Sequence, residues 1–179
     1  MIVQQKKVID KPIWVLAAIL AAAGFAGCTQ LGYNLGSMLP PEIETVYIPV
    51  FVNETDEPLL EVEATRAAQE AIQVDGSLKI ANEADADAVL RVNLIEYKIV
   101  PIAFREDKAT AADEYRIYLT AGFAMTRKET EEVLAQSSRV LGESTFLLEG
   151  DLTSSKKLAL PEAADDLAHD IVEQIVEHW

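Results

Sequence analysis

The stretch Tyr115-Arg116-Ile117-Tyr118-Leu119-Thr120-Ala121-Gly122-Phe123-Ala124-Met125 decides the fold class. Tyr115, Ile117, Leu119, Ala121, Phe123 and Met125 alternate with Arg116, Tyr118, Thr120, Gly122 and Ala124. Successive side chains of a strand point to opposite faces, so this alternation predicts a long strand with one face in a core. Upstream, Val89 to Val100 predicts a second long strand, with Leu90, Val92 and Leu94 on one face and Arg91, Asn93, Ile95 and Tyr97 on the other. Pro101 ends or bends it, and residues 105–113, charged and alanine-rich, read as a loop. Downstream, Thr126 to Glu132 is a polar turn and Val133 to Glu149 returns as a partner strand, with Gly142 placed to mark a bulge.

Further from this centre the pattern changes period. Thr45 to Val52 is β-branched and aromatic and predicts a strand, at an edge or bulged because Pro49 has no N–H to donate. Thr55 or Asp56 is placed to cap a helix and Pro58 suits its first turn. From Leu59 to Val74 the residues Leu60, Ala64, Ala67, Ala68, Ala71 and Ile72 recur at helical spacing, and Gly76 is a stop signal. The alanines on that face allow close approach to a sheet. Leu78-Lys79-Ile80 is a short strand candidate, and Ala84-Asp85-Ala86-Asp87-Ala88 is a polar turn. Asp151 to Lys157 reads as a loop, and Pro161 opens a C-terminal helix. Its apolar stripe is Ala164, Leu167, Ala168, Ile171, Ile175, Val176 and Trp179, and Glu162, Asp165, Asp166, Asp170, Glu173 and Glu177 form a solvated face. Two amphipathic helices must bury their stripes without leaving the sheet bare. The expected architecture is therefore α+β: a two-layer sandwich with two helices on one face of a roughly four-stranded, mostly antiparallel sheet.

The first residues have another character. Lys6, Lys7 and Lys11 precede the apolar run Ile13 to Phe25, and Ala26-Gly27-Cys28 follows. A basic start, a short apolar run and small residues before a cleavage point describe a secretory signal peptide. A spanning helix needs roughly 20 apolar residues, and this run stops short. Cys28 is the sole cysteine, so no disulfide forms within the chain. Phe25-Ala26-Gly27-Cys28 resembles the lipobox of bacterial lipoproteins, with Phe25 where leucine is commonest. That resemblance implies a diacylglycerol on the Cys28 thiol and an acylated mature N-terminus. Thr29, not being Asp, resembles an outer-membrane address. Several acyl chains on one residue make such an anchor durable. The expected organisation is a leader over 1–27, the lipidated Cys28 and a Gly- and Pro-containing tether over 28–43, and one α+β domain over 44–179.

Charge excludes some functions. The chain has 15 Lys+Arg and 30 Asp+Glu; residues 1–27 hold three lysines and Asp10, which leaves 12 basic and 29 acidic residues and a net charge of −17. Such a field repels nucleic acid and anionic membrane surface, so any anionic lipid must bind locally. Catalytic signals are missing as well. His169 and His178 are nine residues apart, a spacing that does not bring both to one metal. No nucleophile elbow surrounds Ser137, Ser138, Ser154 or Ser155, and Gly32-Tyr33-Asn34-Leu35-Gly36 lies in the tether, not between a strand and a helix. Asp165-Asp166 reads as a solvated face and not an acid/base pair. The sequence asks for no enzyme and for no cofactor beyond the lipid on Cys28.

The order of signals resembles a known family. Gly32-Tyr33-Asn34-Leu35 lies close behind the lipobox; then come Ile48-Pro49-Val50-Phe51-Val52-Asn53-Glu54-Thr55 and Pro58-Leu59-Leu60-Glu61. Ala84-Asp85-Ala86-Asp87-Ala88-Val89-Leu90, Tyr115-Arg116-Ile117, Glu132-Val133-Leu134 and the helix from Ala164 to Val176 follow. This series is similar to the LPS-assembly lipoprotein family, LptE, over nearly all of the mature sequence, although Thr29, Gln30 and Leu31 separate the cysteine from the Gly-Tyr pair. The resemblance implies an outer-membrane lipoprotein that plugs a large lipopolysaccharide-translocating β-barrel, helps it fold and contributes to lipopolysaccharide delivery. A barrel lumen is polar, which suits a compact acidic domain, and the charge of this chain then implies a basic lining on the partner. An anionic lipid needs arginine or lysine, and the candidate contacts for lipopolysaccharide or barrel are Arg91, Arg105, Arg116, Arg127 and Lys128. The competing reading is a periplasm-facing lipoprotein that scaffolds another envelope transporter or a cell-wall enzyme.

Overall fold

The structure, a computed structural model, describes residues 39–104 and 112–177. The leader, Cys28, the Gly32–Leu35 motif, Arg105, His178 and Trp179 lie outside the described residues. Strands β1 (Thr45–Tyr47) and β2 (Val52–Asn53) lead into helix α1 (Leu60–Asp75), which is followed by β3 (Lys79–Ile80). Three long strands come next, β4 (Ala88–Phe104), β5 (Ala112–Arg127) and β6 (Val133–Leu147), and helix α2 (Leu152–Glu177) ends the domain. The sheet runs β3-β1-β4-β5-β6, with β2 also on β4. The long strands pair antiparallel, and the short ones pair parallel to β4 and to one another. The class is the expected α+β sandwich with both helices on one face, but the sheet is open and has six strands where about four were expected, the short parallel β1, β2 and β3 joining the antiparallel set.

Both helices cover the same face. Leu90, Val92, Leu94, Ile117, Leu119, Ala121 and Met125 join Leu60, Ala64, Ala68, Ala164, Leu167, Ile171 and Ile175 in one buried cluster. Leu39 and Ile43, at the end of the expected tether, are buried in it too. The alternation in β5 is as the sequence predicts. In β4 it breaks. The pairing with β5 slips between Leu94 and Glu96, so Tyr97 and Ile99 turn to the core side and Lys98 to the other. Tyr97 therefore does not share the face of Arg91, as strict alternation predicts.

Gly142 lies in regular register opposite Leu119; the irregularities of β6 come earlier, between its pairings with Ala121 and Phe123 and with Met125 and Thr126. Its role is spacing, not bulging. A Cβ on Gly142 would stand 2.5 Å from the Leu167 backbone nitrogen and 2.6 Å from the Ala163 carbonyl oxygen, so α2 rests directly on bare backbone. Pro49 falls in the break between β1 and β2, where Ile48 and Phe51 remain buried. The Phe51 N–H, left without a ladder partner there, donates to Thr65 Oγ1 of α1 at 3.0 Å, and the Thr65 hydroxyl donates to the Glu61 carbonyl at 2.6 Å.

The helix ends differ from expectation in two places. Gly76 does end α1, at φ 76 with its N–H on the Ile72 carbonyl at 3.0 Å. Its start is capped by neither Thr55 nor Asp56. Leu59 occupies the N-cap at φ 64 without a side-chain cap bond, while Asn53 ties the preceding turn through the Glu57 carbonyl and Glu61 Oε2, both at 2.8 Å. Helix α2 begins at Leu152, so Pro161 lies inside it and residues 152–157, expected as loop, are helical. Asp151 supplies that start, its Oδ1 accepting the Ser154 N–H at 2.9 Å. Residues 112 and 113, also expected in a loop, open β5.

Candidate functional surface on the open face of the sheet

The face opposite the helices carries no layer among the described residues. From β4 it presents Arg91, Asn93, Ile95, Glu96 and Lys98; from β5 Arg116, Tyr118 and Thr120; from β6 Leu141, Glu143 and Thr145. Ile95 is 45% exposed and Leu141 39%, so the surface is mixed, with aliphatic side chains between charges. Around Arg91 it dips into a depression of about 410 Å³ lined by Glu54, Asn93, Ile95, Gly122 and Ser138. A Cβ on Gly122 would stand 3.3 Å from the Ser138 carbonyl oxygen and 3.5 Å from Ile95; without one, the floor there is backbone.

The cations on this face are lightly held. Arg91 Nη1 donates to Thr126 Oγ1 at 3.3 Å and has no carboxylate at ion-pair distance among the described residues. Arg116 lies 3.5 Å from Glu143, and its buried Nε has no hydrogen-bond partner among the described residues. Lys98, across from Tyr118, is diagonal to Arg116, a separation of about 7–8 Å between such neighbours. Arg91 is seven residues from Lys98 along β4, on the order of 23 Å at strand rise. The face thus holds a pair, Lys98 and Arg116, with Arg91 apart, and not one anion pocket. Lys98 escaped sequence reasoning because the irregularity after Leu94 reverses the alternation.

The remaining candidates have structural work. Arg127 pairs with Glu132 at 3.1 Å and Glu42 at 3.3 Å, and Lys128 Nζ donates to the Ala84 carbonyl at 2.6 Å. The space beside them, about 500 Å³, is bordered by Glu42, Asp85, Asp87 and Glu129, which makes it a poor site for an anion. The Ala84–Asp87 turn has its own explanation. Asp87 Oδ2 accepts from the Thr45 hydroxyl at 2.7 Å and from the Thr45 and Glu44 N–H groups at 2.9 and 3.1 Å. The Asp87 N–H donates back to Thr45 Oγ1 at 2.9 Å, so the turn staples the start of β1. The Thr45 hydroxyl, then those N–H groups, hold the Asp87 carboxyl below the usual carboxylate range. Burial in the helix-side layer pushes the Tyr97 phenol up to about 12, with Glu57 adding to the effect, and its hydroxyl has no hydrogen-bond partner among the described residues.

The described residues hold no group of three or more His, Cys, Asp or Glu side chains placed to share a metal ion. No described helix is long and apolar enough to cross a membrane.

Comparison with known proteins agrees with this frame. The model of the family described as LptE, Lipopolysaccharide-assembly, matches residues 43–178. No curated protein matches. Among solved structures, a minor lipoprotein from Acinetobacter baumannii is 16% identical, covering 76% of this chain and 92% of its own, with a TM-score of 0.48. Rare lipoprotein B from Shewanella oneidensis is 16% identical over 75% of this chain and 96% of its own, with a TM-score of 0.45. A PelC dodecamer from Paraburkholderia phytofirmans is 16% identical over 79% of this chain and 95% of its own, with a TM-score of 0.47. These likenesses are loose, and the assignment rests on the match of the sequence itself: the chain belongs to the LptE family of lipopolysaccharide-assembly proteins.

Proposed function

We propose that this chain is an outer-membrane lipoprotein, anchored through Cys28 on the periplasmic side, that plugs the lipopolysaccharide-translocating β-barrel and assists its assembly. Its part in lipopolysaccharide delivery is binding and positioning, without turnover chemistry. Family membership supports the coarse role. The observation that carries the finer one is the uncovered sheet face, where apolar Ile95 and Leu141 stand beside the lightly held Arg91, Lys98 and Arg116. Interfaces mix aliphatic area with charges in this way, and arginine is favoured at them. The buried Arg116 Nε, lacking an acceptor, gains one from a docked carboxylate, phosphate or carbonyl. The net charge of −17 over residues 28–179, 12 basic against 29 acidic, favours a basic barrel lining.

The test is position-specific crosslinking in cells. A photoreactive residue at Tyr118 or Glu143 on the open face is expected to capture a large β-barrel, and one at Glu173 on the solvated side of α2 to capture it at least fivefold less. Equal capture from both positions, or capture of a cell-wall enzyme or a different transporter from Tyr118, would overturn the assignment of the open face.

A further inference from the structure

The helix layer carries a second feature. Where the N-terminal ends of α1 and α2 meet, a groove of about 630 Å³ is lined by Leu59, Val62, Leu160 and Pro161, with Lys156 and Lys157 at its rim. That volume falls within the range of small-molecule sites, which are likewise mostly apolar with few polar groups. Leu59 is 71% exposed and Val62 57%, a large apolar area left in water. Leu59 is also held at φ 64, a conformation that a leucine avoids and a glycine accepts freely. A strained backbone that keeps a leucine over an open groove points to use of that side chain.

The charges at the rim do not cancel. Glu57 is taken by Lys156 at 2.7 Å, and Lys156 also lies 5.9 Å from the centre of the Tyr97 ring. Glu63 is taken by Arg66 at 2.6 Å. Lys157 has no carboxylate at ion-pair distance among the described residues, so the one uncompensated charge at the groove is positive in a strongly acidic chain. Helix α1 begins there without a side-chain cap, which leaves first-turn N–H groups and their partial positive charge on the same side.

We infer that this groove binds one long-chain fatty acid, its alkyl chain along Leu59, Val62 and Leu160 and its carboxylate at Lys157. The trough is sized for a small ligand and presents one free cation, which suits a single-chain carboxylate better than a lipid with several chains. The inference stands apart from the barrel-plug reading, since the groove lies in the other layer of the sandwich.

The full chain, purified in a neutral maltoside detergent, is photolabelled with a diazirine-bearing palmitate and the labelled peptides are mapped by mass spectrometry. Labelling is expected to concentrate on the peptides around Leu59–Val62 and Lys156–Pro161. Excess palmitate should suppress it at least tenfold more effectively than hexadecanol, which has the same chain and no charge. Leu59→Gly relieves the backbone strain, so it should leave the melting temperature unchanged or raised while cutting labelling at least fivefold. Lys157→Gln should abolish the preference for palmitate over hexadecanol. Scattered labelling that palmitate does not suppress, equal competition by hexadecanol, or undiminished labelling of Leu59→Gly would each overturn the inference. So would protection of these peptides by a co-purifying protein alone, which would assign the groove to a protein contact.

Discussion

Gly142 is the point at which sheet and helix layers are set closest, and Gly142→Ala tests that arrangement. The added Cβ would fall 2.5 Å from Leu167 Cβ and nitrogen and 2.6 Å from the Ala163 carbonyl. Two of these neighbours are helix backbone, so no side-chain rotation makes room, and α2 has to lift from β6 by the order of 1 Å. Overpacking of this kind costs about 1–3 kcal/mol, and a backbone clash belongs at the upper end. Replacing a strand glycine returns roughly 0.5–1 kcal/mol of unfolded-state entropy. The net expected loss is about 2 kcal/mol, a fall in Tm of roughly 4–8 °C for a domain of this size. Gly122→Ala is the internal control, because its Cβ meets the Ser138 carbonyl at 3.3 Å, a contact a small strand adjustment relieves. It should leave stability level or raise it by up to about 1 kcal/mol, because the same entropic gain meets only a mild contact. Urea unfolding of both variants measures the difference, and a Gly142→Ala variant within about 0.5 kcal/mol of the parent would refute the close-approach argument.

Two further outcomes follow from named contacts and a third from the proposed anchor. Asp87→Ala removes the acceptor of three hydrogen bonds at the head of β1 and should cost about 1 kcal/mol at neutral pH, discounted for partial exposure. The folded pKa of Asp87 is lowered, so its contribution is present above the unfolded value near 4 and is lost as pH falls through the lower folded value. The parent and the variant should therefore converge in stability below about pH 4, as followed by denaturant midpoints. Thr65→Val keeps the side-chain shape and strands the Phe51 N–H, for a loss of about 1–3 kcal/mol in the same assay. Cys28→Ser should abolish incorporation of labelled palmitate and move the protein out of the membrane fraction; labelling that persists would place the lipid elsewhere or nowhere.

What the sequence shows of this fold depends on element length and regularity. The eleven-residue alternation around Leu119 placed β5 correctly, and the alanine face with Gly76 placed α1 and its stop. The irregularity after Leu94 has no signature in composition, since Ile95, Tyr97 and Ile99 all fit either face; only pairing with β5 reveals it. With it went Lys98, a cation of the candidate surface. The first turns of α2 were hidden for a different reason. Ser155 is buried there and Leu158 is 83% exposed, the reverse of an amphipathic stripe, and Pro161 reads as a start. Strands β1 and β3 are too short for a period to show, and it was the β-branched and apolar residues of Thr45–Val52 and Leu78–Ile80 that marked them. Of the candidate cations, Arg91 and Arg116 do lie on the open face. Arg127 is tied to Glu132 of its own turn and to the distant Glu42, Lys128 to the distant Ala84 carbonyl, and Arg105 lies outside the described residues.

The proposed function puts this chain inside a partner barrel of the outer membrane. The most direct measurement is affinity purification of the tagged lipoprotein from detergent-solubilised outer membranes, with the co-purifying proteins identified and their stoichiometry measured. The account predicts a near-equimolar large β-barrel that remains bound through washing and is reduced when Arg91 and Arg116 are both reversed to glutamate. Recovery of the chain alone, or with an inner-membrane transporter or a cell-wall enzyme, would contradict it.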